Sequence, residues 1–199
     1  MRVLETYNSF TEEVDVGRFA FFLKLGKDGV EVGVDDLAND VVNFPKLVIF
    51  GDEPFVQVAE LESLIKKVVK KKSEMKIEIR TTGIIKPVGI GSIKNVNYNV
   101  YLKLKSSGVE YEKRIKPEVI NWFAIIGANF IFTVNNYDDI DEVNMLMQEH
   151  SIVKSQAFLT VKGEANTEQL KMLVDSCRLN GYNFTLDYGA MFWPKDGRY

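Results

Sequence analysis

Residues 46–70 read KLVIFGDEPFVQVAELESLIKKVVK and hold a whole structural unit. The run KLVIF at 46–50 is apolar on alternate and intervening positions alike, the pattern of a strand buried on both faces. GDEP at 51–54 then turns the chain. Beyond it Val58, Leu61, Leu64, Ile65, Val68 and Val69 fall on one helical face, so a helix returns over the sheet. A strand, a turn and an amphipathic helix in this order predict a right-handed βα unit of a largely parallel sheet.

The pattern repeats outward in both directions. FAFFLKL at 19–25, MKIEI at 75–79, YNVYLKL at 98–104, NFIFTV at 129–134 and QAFLTV at 156–161 are further runs rich in β-branched and aromatic residues. Helical stripes lie between them: Ile115, Val119, Trp122, Phe123 and Ile126; Ile140, Val143 and Leu146; Leu170, Leu173, Val174 and Cys177. End signals agree. Asn166 and Gln169 fit a capping box, Gly181 a left-handed cap, Pro117 a first helical turn, and Asp138 with Asp139 the positive end of the next helix. The segment 84–97, IIKPVGIGSIKNVN, reads as a loop or distorted connection. With no linker, charge block or repeat, the expectation is an α/β fold in one domain over 1–199.

Composition narrows the chemistry. At 199 residues, 46% hydrophobic and 27% charged, the chain can bury a full core. A net charge of -3 gives no general attraction to nucleic acid or anionic membranes, and no apolar run reaches membrane-spanning length. MRVLETYNSF lacks the form of a signal peptide, so a cytoplasmic protein without nucleic-acid or membrane partners is expected. Cys177 and His150 stand alone in their residue types. They cannot assemble a zinc site, a disulfide or an iron–sulfur cluster, and both read as structural, His150 at a helix end and Cys177 on a buried helical face.

In parallel α/β sheets, ligands gather beyond the carboxyl ends of the strands. The segments there are GKDG at 26–29, GDEP at 51–54, RTTG at 80–83, KSSG at 105–108 and VKGE at 161–164. In GDEP, Asp52 or Glu53 suits an amine or acid–base work, unless both are simply solvated turn acids, and Gly51 lets backbone approach a ligand. RTTG and KSSG suit an anion held by hydroxyls and backbone N–H groups. None of these is a Walker A or dinucleotide fingerprint. Lys66, Lys67, Lys70, Lys71 and Lys72 read as a solvated helix end in preference to a phosphate contact. The aromatic C-terminal stretch GYNFTLDYGAMFWPKDGRY would cover the open end of the sheet or meet another subunit.

In this order the segments resemble the 7-carboxy-7-deazaguanine synthase family of radical S-adenosylmethionine enzymes. ETYNSFTEEVDVGRFAFFLKL is similar to the family's EIFxSIQGEGxxxGxPxxFVRL, LVIFGDEPFVQ to its TGGEPLLQ, and IEIRTTG to its IETNGT. YLKLKSSGVEYEKRIKPEVI resembles the SxKLSNSG segment with its following helix, and CRLNGYNFTLDYGAMFW the closing CKxxGYRFTPRLHxxLWG. The resemblance implies an incomplete, open (βα)6 barrel of the TIM-like, radical-S-adenosylmethionine type, and a homodimer.

The departures matter more for function. The family's CxxxCxxC loop, which holds a [4Fe–4S] cluster, has no counterpart after Leu25, where the chain runs on as GKDGVEVGV. Of the family's QGE only the glutamate is kept, as Glu13; GGEP becomes Gly51, Asp52, Glu53, Pro54; Arg80 replaces the glutamate of ETNG. Lys103 of the SxKL segment is kept behind Tyr101, and Asp187 and Gly189 stand where the closing motif has arginine and histidine. The expectation is therefore a chain with no iron–sulfur cluster and no S-adenosylmethionine, a non-catalytic synthase-like protein serving as a protein-binding or regulatory module. The alternative keeps a small-molecule site for a purine, pterin or nucleotide in the barrel mouth, lined by Glu13, Gly51, Asp52, Glu53, Thr81, Thr82, Lys103 and Ser106. A third reading gives Asp52 or Glu53 a role as base with Lys103 as charge stabiliser.

Overall fold

The computed structural model describes residues 1–91, 93–163 and 165–189. Of the C-terminal aromatic stretch, 190–199 therefore lies outside the described residues, as do Ser92 and Glu164. The strands are β1 (Arg2–Phe10), β2 (Phe19–Leu25), β3 (Val30–Glu31), β4 (Lys46–Gly51), β5 (Lys76–Thr81), β6 (Val96–Tyr101), β7 (Asn129–Thr133), β8 (Ala157–Thr160) and β9 (Asn183–Phe184). The helices are α1 (Val34–Val41), α2 (Val58–Lys71), α3 (Tyr111–Arg114), α4 (Pro117–Ile125), α5 (Tyr137–Glu149) and α6 (Thr167–Asn180).

All nine strands form one sheet in the order β3-β1-β2-β4-β5-β6-β7-β8-β9. From β2 to β9 every pairing is parallel; β1 joins β2 and β3 antiparallel. The sheet curls without closing, since β3 and β9 are its two edges. The fold is thus a mixed α/β domain and an open barrel.

Alternation along each strand separates two faces. Phe21, Leu23 and Leu25 of β2, Leu47 and Ile49 of β4, Ile77 and Ile79 of β5, and Phe130 and Phe132 of β7 join the large outer core beneath the helices. The intervening residues turn inward. There Ala20, Phe22 and Val48 make a small separate cluster with Tyr7 and Phe50, Tyr7 lying parallel on Phe22 at 5.0 Å between centroids. The six strands read from the sequence all form, because residues buried on both faces leave an unambiguous apolar run. β1 is legible only in part: just Val3 and Ser9 of it are buried.

The 84–97 segment contains no helix among its described residues, so one crossover lacks the usual layer. Ile90 is fully buried, and Ile85 and Ile93 pack against the outer core in its place. The caps expected at α6 are present, and α5 gains one that was not expected, at Asn136. Asn166 and Gln169 form the reciprocal capping box, Gly181 takes φ 74°, and Asn136 accepts a hydrogen bond from the Asp139 amide at 3.0 Å. The lysine cluster ties α2 to its surroundings: Lys66 binds Glu62, Lys67 binds Asp35 and Lys71 binds Asn39 of α1, and Lys72 donates to the Phe44 carbonyl at 2.8 Å.

His150 caps α5, as expected, but its environment works against a charge. Its Nδ1 lies 3.1 Å from Asn121 Oδ1 and its buried Nε2 has no partner among the described residues. Burial pushes the imidazole below 6.5, with Glu149 pulling weakly the other way. The unfolded chain then binds the proton more readily, so stability is lost as pH falls below 6.5. His150→Gln should shrink the drop in Tm between pH 7.5 and 5.5, measured beside wild type.

Candidate functional site

The carboxyl ends of the strands carry the predicted residues, but they fall into four groups. Glu53 and Thr81 form an internal latch. Glu53, 8% exposed, accepts hydrogen bonds from Thr81 Oγ1 at 2.8 and 2.9 Å, Thr82 Oγ1 at 2.5 Å, the Thr82 amide at 2.9 Å and the Phe55 amide at 3.3 Å. Its carboxylate is thereby occupied in joining the turn after β4 to the turn after β5. The Gly83 amide is likewise used, by Thr81 Oγ1 at 3.0 Å. RTTG is therefore not an open anion cradle.

Gly51 has a packing role. Its φ is +137°, and a Cβ there would stand 1.9 Å from the Leu25 carbonyl oxygen. The glycine thus lets β4 leave the sheet against the end of β2. KSSG is also largely committed: Lys105 N donates to Glu142 at 2.7 Å, Ser107 Oγ to the Leu104 carbonyl, and Ser106 Oγ accepts from Asn135 Nδ2 at 3.2 Å.

Glu13, Thr82, Lys103 and Ser106 meet around a cavity of about 380 Å³ beyond the ends of β6, β7 and β8. Lys103 reaches it because β6 ends at Tyr101, three residues before the end of the run read as a strand. Asp52 faces a smaller adjoining space of about 140 Å³, which shares Thr82 and Lys103 with the first. Sequence reasoning missed Tyr101, Thr133, Asn135 and Thr160 in the main cavity, together with Lys162 and Asp187. The VKGE segment was the available signal for Lys162, and the replaced closing motif for Asp187.

The inner wall below the cavity is charged. Glu78, on β5, binds Lys46 Nζ at 2.7 Å and Arg80 Nε at 2.8 Å, all three side chains being at least nine-tenths buried. Lys46 also meets Asp15 at 3.3 Å, and Arg80 reaches Glu13 at 3.8 Å while its guanidinium covers the Phe22 ring. Burial pushes Glu78 upward, yet the Arg80 and Lys46 charges overcome it and hold the acid below 4.5. Glu13 goes the other way: burial raises it, Arg80 lowers it, and nearby Glu78, Glu12 and Asp187 add to the rise. Among the described residues Glu13 Oε2, Arg80 Nη2 and Tyr101 Oη are buried without a hydrogen-bond partner. Glu13 and Tyr101 line the cavity and Arg80 adjoins it through Glu13; buried polar groups ordinarily find a partner.

These residues do not fit the cluster implied by the resemblance. After Leu25 the chain closes a short turn, Gly29 N to Gly26 O at 3.1 Å, directly into β3. Cys177, the single thiol of the sequence, lies on α6 and donates to the Asn183 carbonyl at 3.3 Å. Burial pushes that thiol up to about 11. An iron–sulfur cluster needs several thiolates, so no step is routed through one. Among the described residues no group of three or more side chains is arranged to hold a metal ion, and no helix is long and apolar enough to cross a membrane.

Comparison with known proteins gives a matching picture. The chain is 27% identical over 220 aligned residues to the 7-carboxy-7-deazaguanine synthase of Pyrobaculum aerophilum, covering 97% of this chain and 95% of that one. Its fold is similar to the crystal structure of QueE from Escherichia coli, with a TM-score of 0.70 over 94% of this chain and 93% of that one, at 14% identity. No family model matches.

Proposed function

From a chain whose sequence and fold assign it to the 7-carboxy-7-deazaguanine synthase family, we propose a protein that has given up radical chemistry and works by binding. Its ligand is a small heterocycle of the purine or pterin type, held in the barrel mouth. The observation carrying this reading is that two side chains lining the cavity, Glu13 and Tyr101, hold a buried Oε2 and Oη with no hydrogen-bond partner among the described residues, with Arg80 Nη2 in the same state beside Glu13. Glu13 Oε2 seeks a donor, Arg80 Nη2 seeks an acceptor, and the two side chains approach to 3.8 Å. A ring edge with adjacent N–H and C=O groups satisfies both, and Tyr101 Oη can take a further polar atom. A cavity of about 380 Å³ suits such a ring. Thr82, Lys103 and Ser106 would border it, while Glu53, Thr81 and Gly51 hold its frame.

Thermal unfolding against S-adenosylmethionine, S-adenosylhomocysteine, carboxypterins, deazapurines and common nucleotides tests the reading. A true ligand at 100 times its Kd should add about 2.7 kcal/mol. The expected result is a shift with a heterocycle, lost in Glu13→Gln. A flat panel with folded protein would overturn the heterocycle reading. Stoichiometric iron and sulfide after anaerobic reconstitution, with cleavage of S-adenosylmethionine, would overturn the loss of radical chemistry.

A protein-binding or regulatory module is the second reading. It is favoured by an outer groove of about 1010 Å³ between residues 105–114 and α5, where Tyr111 and Met145 are each 42% exposed. Such a module requires no ligand in the mouth. Light scattering of the purified chain would separate a self-associating form, the expected homodimer, from a monomer that uses the groove for another protein.

A further inference from the structure

The smaller cavity beside the mouth has a charge pattern of its own. Its charged lining is Lys103, Lys113, Arg114 and Asp52, with Thr82 shared between the two cavities. At about 140 Å³ it has room for a group displacing roughly five waters. The cations are available to different degrees. Lys103 makes no side-chain hydrogen bond or ion pair among the described residues. Lys113 is tied to Glu110 alone, an exposed pair at 2.7 Å that holds it weakly.

Arg114 supplies the rigid wall. It is 5% exposed and donates to the Val109 carbonyl at 3.1 Å, the Lys103 carbonyl at 2.9 Å and Glu142 at 2.7 Å. Those bonds leave N–H groups of its guanidinium fork to spare. They also fix the main chain at Lys103, so the one unpaired ammonium of the site is presented from an ordered position. Asp52, the one acid in the lining, is an acceptor for hydroxyl groups next to an anionic centre.

We propose that this cavity is the subsite for a phosphate monoester on the ligand whose ring occupies the larger cavity, so that the chain recognises a nucleoside monophosphate ahead of the free base or nucleoside. The proposal rests on the heterocycle reading of the mouth. Lys103 is the hinge of the arrangement, bordering both cavities. Lys113 swings from Glu110 to the phosphate, and Arg114 meets it from the buried side.

Calorimetric titration of guanosine, guanosine 5′-monophosphate and inorganic phosphate, at low and high salt, tests it. The monophosphate should bind at least tenfold tighter than the nucleoside at low salt, with the gap narrowing as salt screens the charges. Lys113→Gln should narrow the gap further while leaving guanosine affinity unchanged. Equal affinities for nucleoside and monophosphate would overturn the subsite and leave the ring site standing. If neither binds, the nucleotide assignment is overturned, the thermal panel decides the ring site, and inorganic phosphate decides the subsite alone. Stabilisation by phosphate in wild type, lost in Lys103→Gln, would support it; no stabilisation would overturn it.

Discussion

Glu78→Gln is expected to lower the unfolding free energy by about 3–5 kcal/mol, the range for removing one partner of a buried ion pair. Glu78 lies between Lys46 and Arg80, and its loss leaves an ammonium and a guanidinium facing each other inside the sheet. The amide can accept from one of them but cannot neutralise either. Denaturant unfolding checks this: the midpoint should fall with the slope unchanged. A loss under 1 kcal/mol would mean that Asp15 and Glu13 already neutralise the two cations. Acid has a related effect. Because Glu78 is held below 4.5 in the folded chain, its contribution is complete above that value and is lost as pH falls through the lower folded pKa.

Glu53→Ala should cost about 3 kcal/mol or more, since it orphans the Thr81 and Thr82 hydroxyls and the Thr82 and Phe55 amides together. The same variant separates two roles for this residue. As a latch, Glu53 matters to stability first, and ligand affinity should fall only as far as Thr82 loses its place in the cavity wall. As a ligand-binding carboxylate, it would leave stability near wild type and abolish binding. The Tm of the unliganded variant distinguishes these outcomes without knowledge of the ligand.

Glu53 also shows what sequence could and could not reveal. Its place after a buried strand was plain, because KLVIF admits no other reading. Its partners lie 28 and 29 residues away, on a strand whose register no local pattern fixes, so an occupied acceptor looked like a free one. Lys103 shows the converse. The apolar positions of YNVYLKL continue the strand rhythm to residue 104, yet pairing with β7 ends at Tyr101, and the lysine leaves the sheet for the mouth. Arg80 was visible only as a changed residue; its ion pairs follow from the inward alternation of β4 and β5. Thr133 and Thr160 are opposite each other on β7 and β8, a juxtaposition that emerges only when the sheet is assembled. The four principal helices were readable from their apolar stripes, although Ile126 and Val174 of those stripes are exposed and Ile115 precedes α4. α1 was missed because its eight residues present only Leu37, Ala38 and Val41 to the core.

The buried thiol of Cys177 has a practical side. A sulfur held protonated at neutral pH, with its titration pushed up to about 11, supplies little thiolate for oxidation. It also has no second cysteine within its own chain to pair with. Air and mild oxidants should therefore leave this thiol intact. Thiol-directed reagents at neutral pH should likewise label Cys177 only as the chain unfolds, which makes its labelling rate a direct reporter of opening around α6.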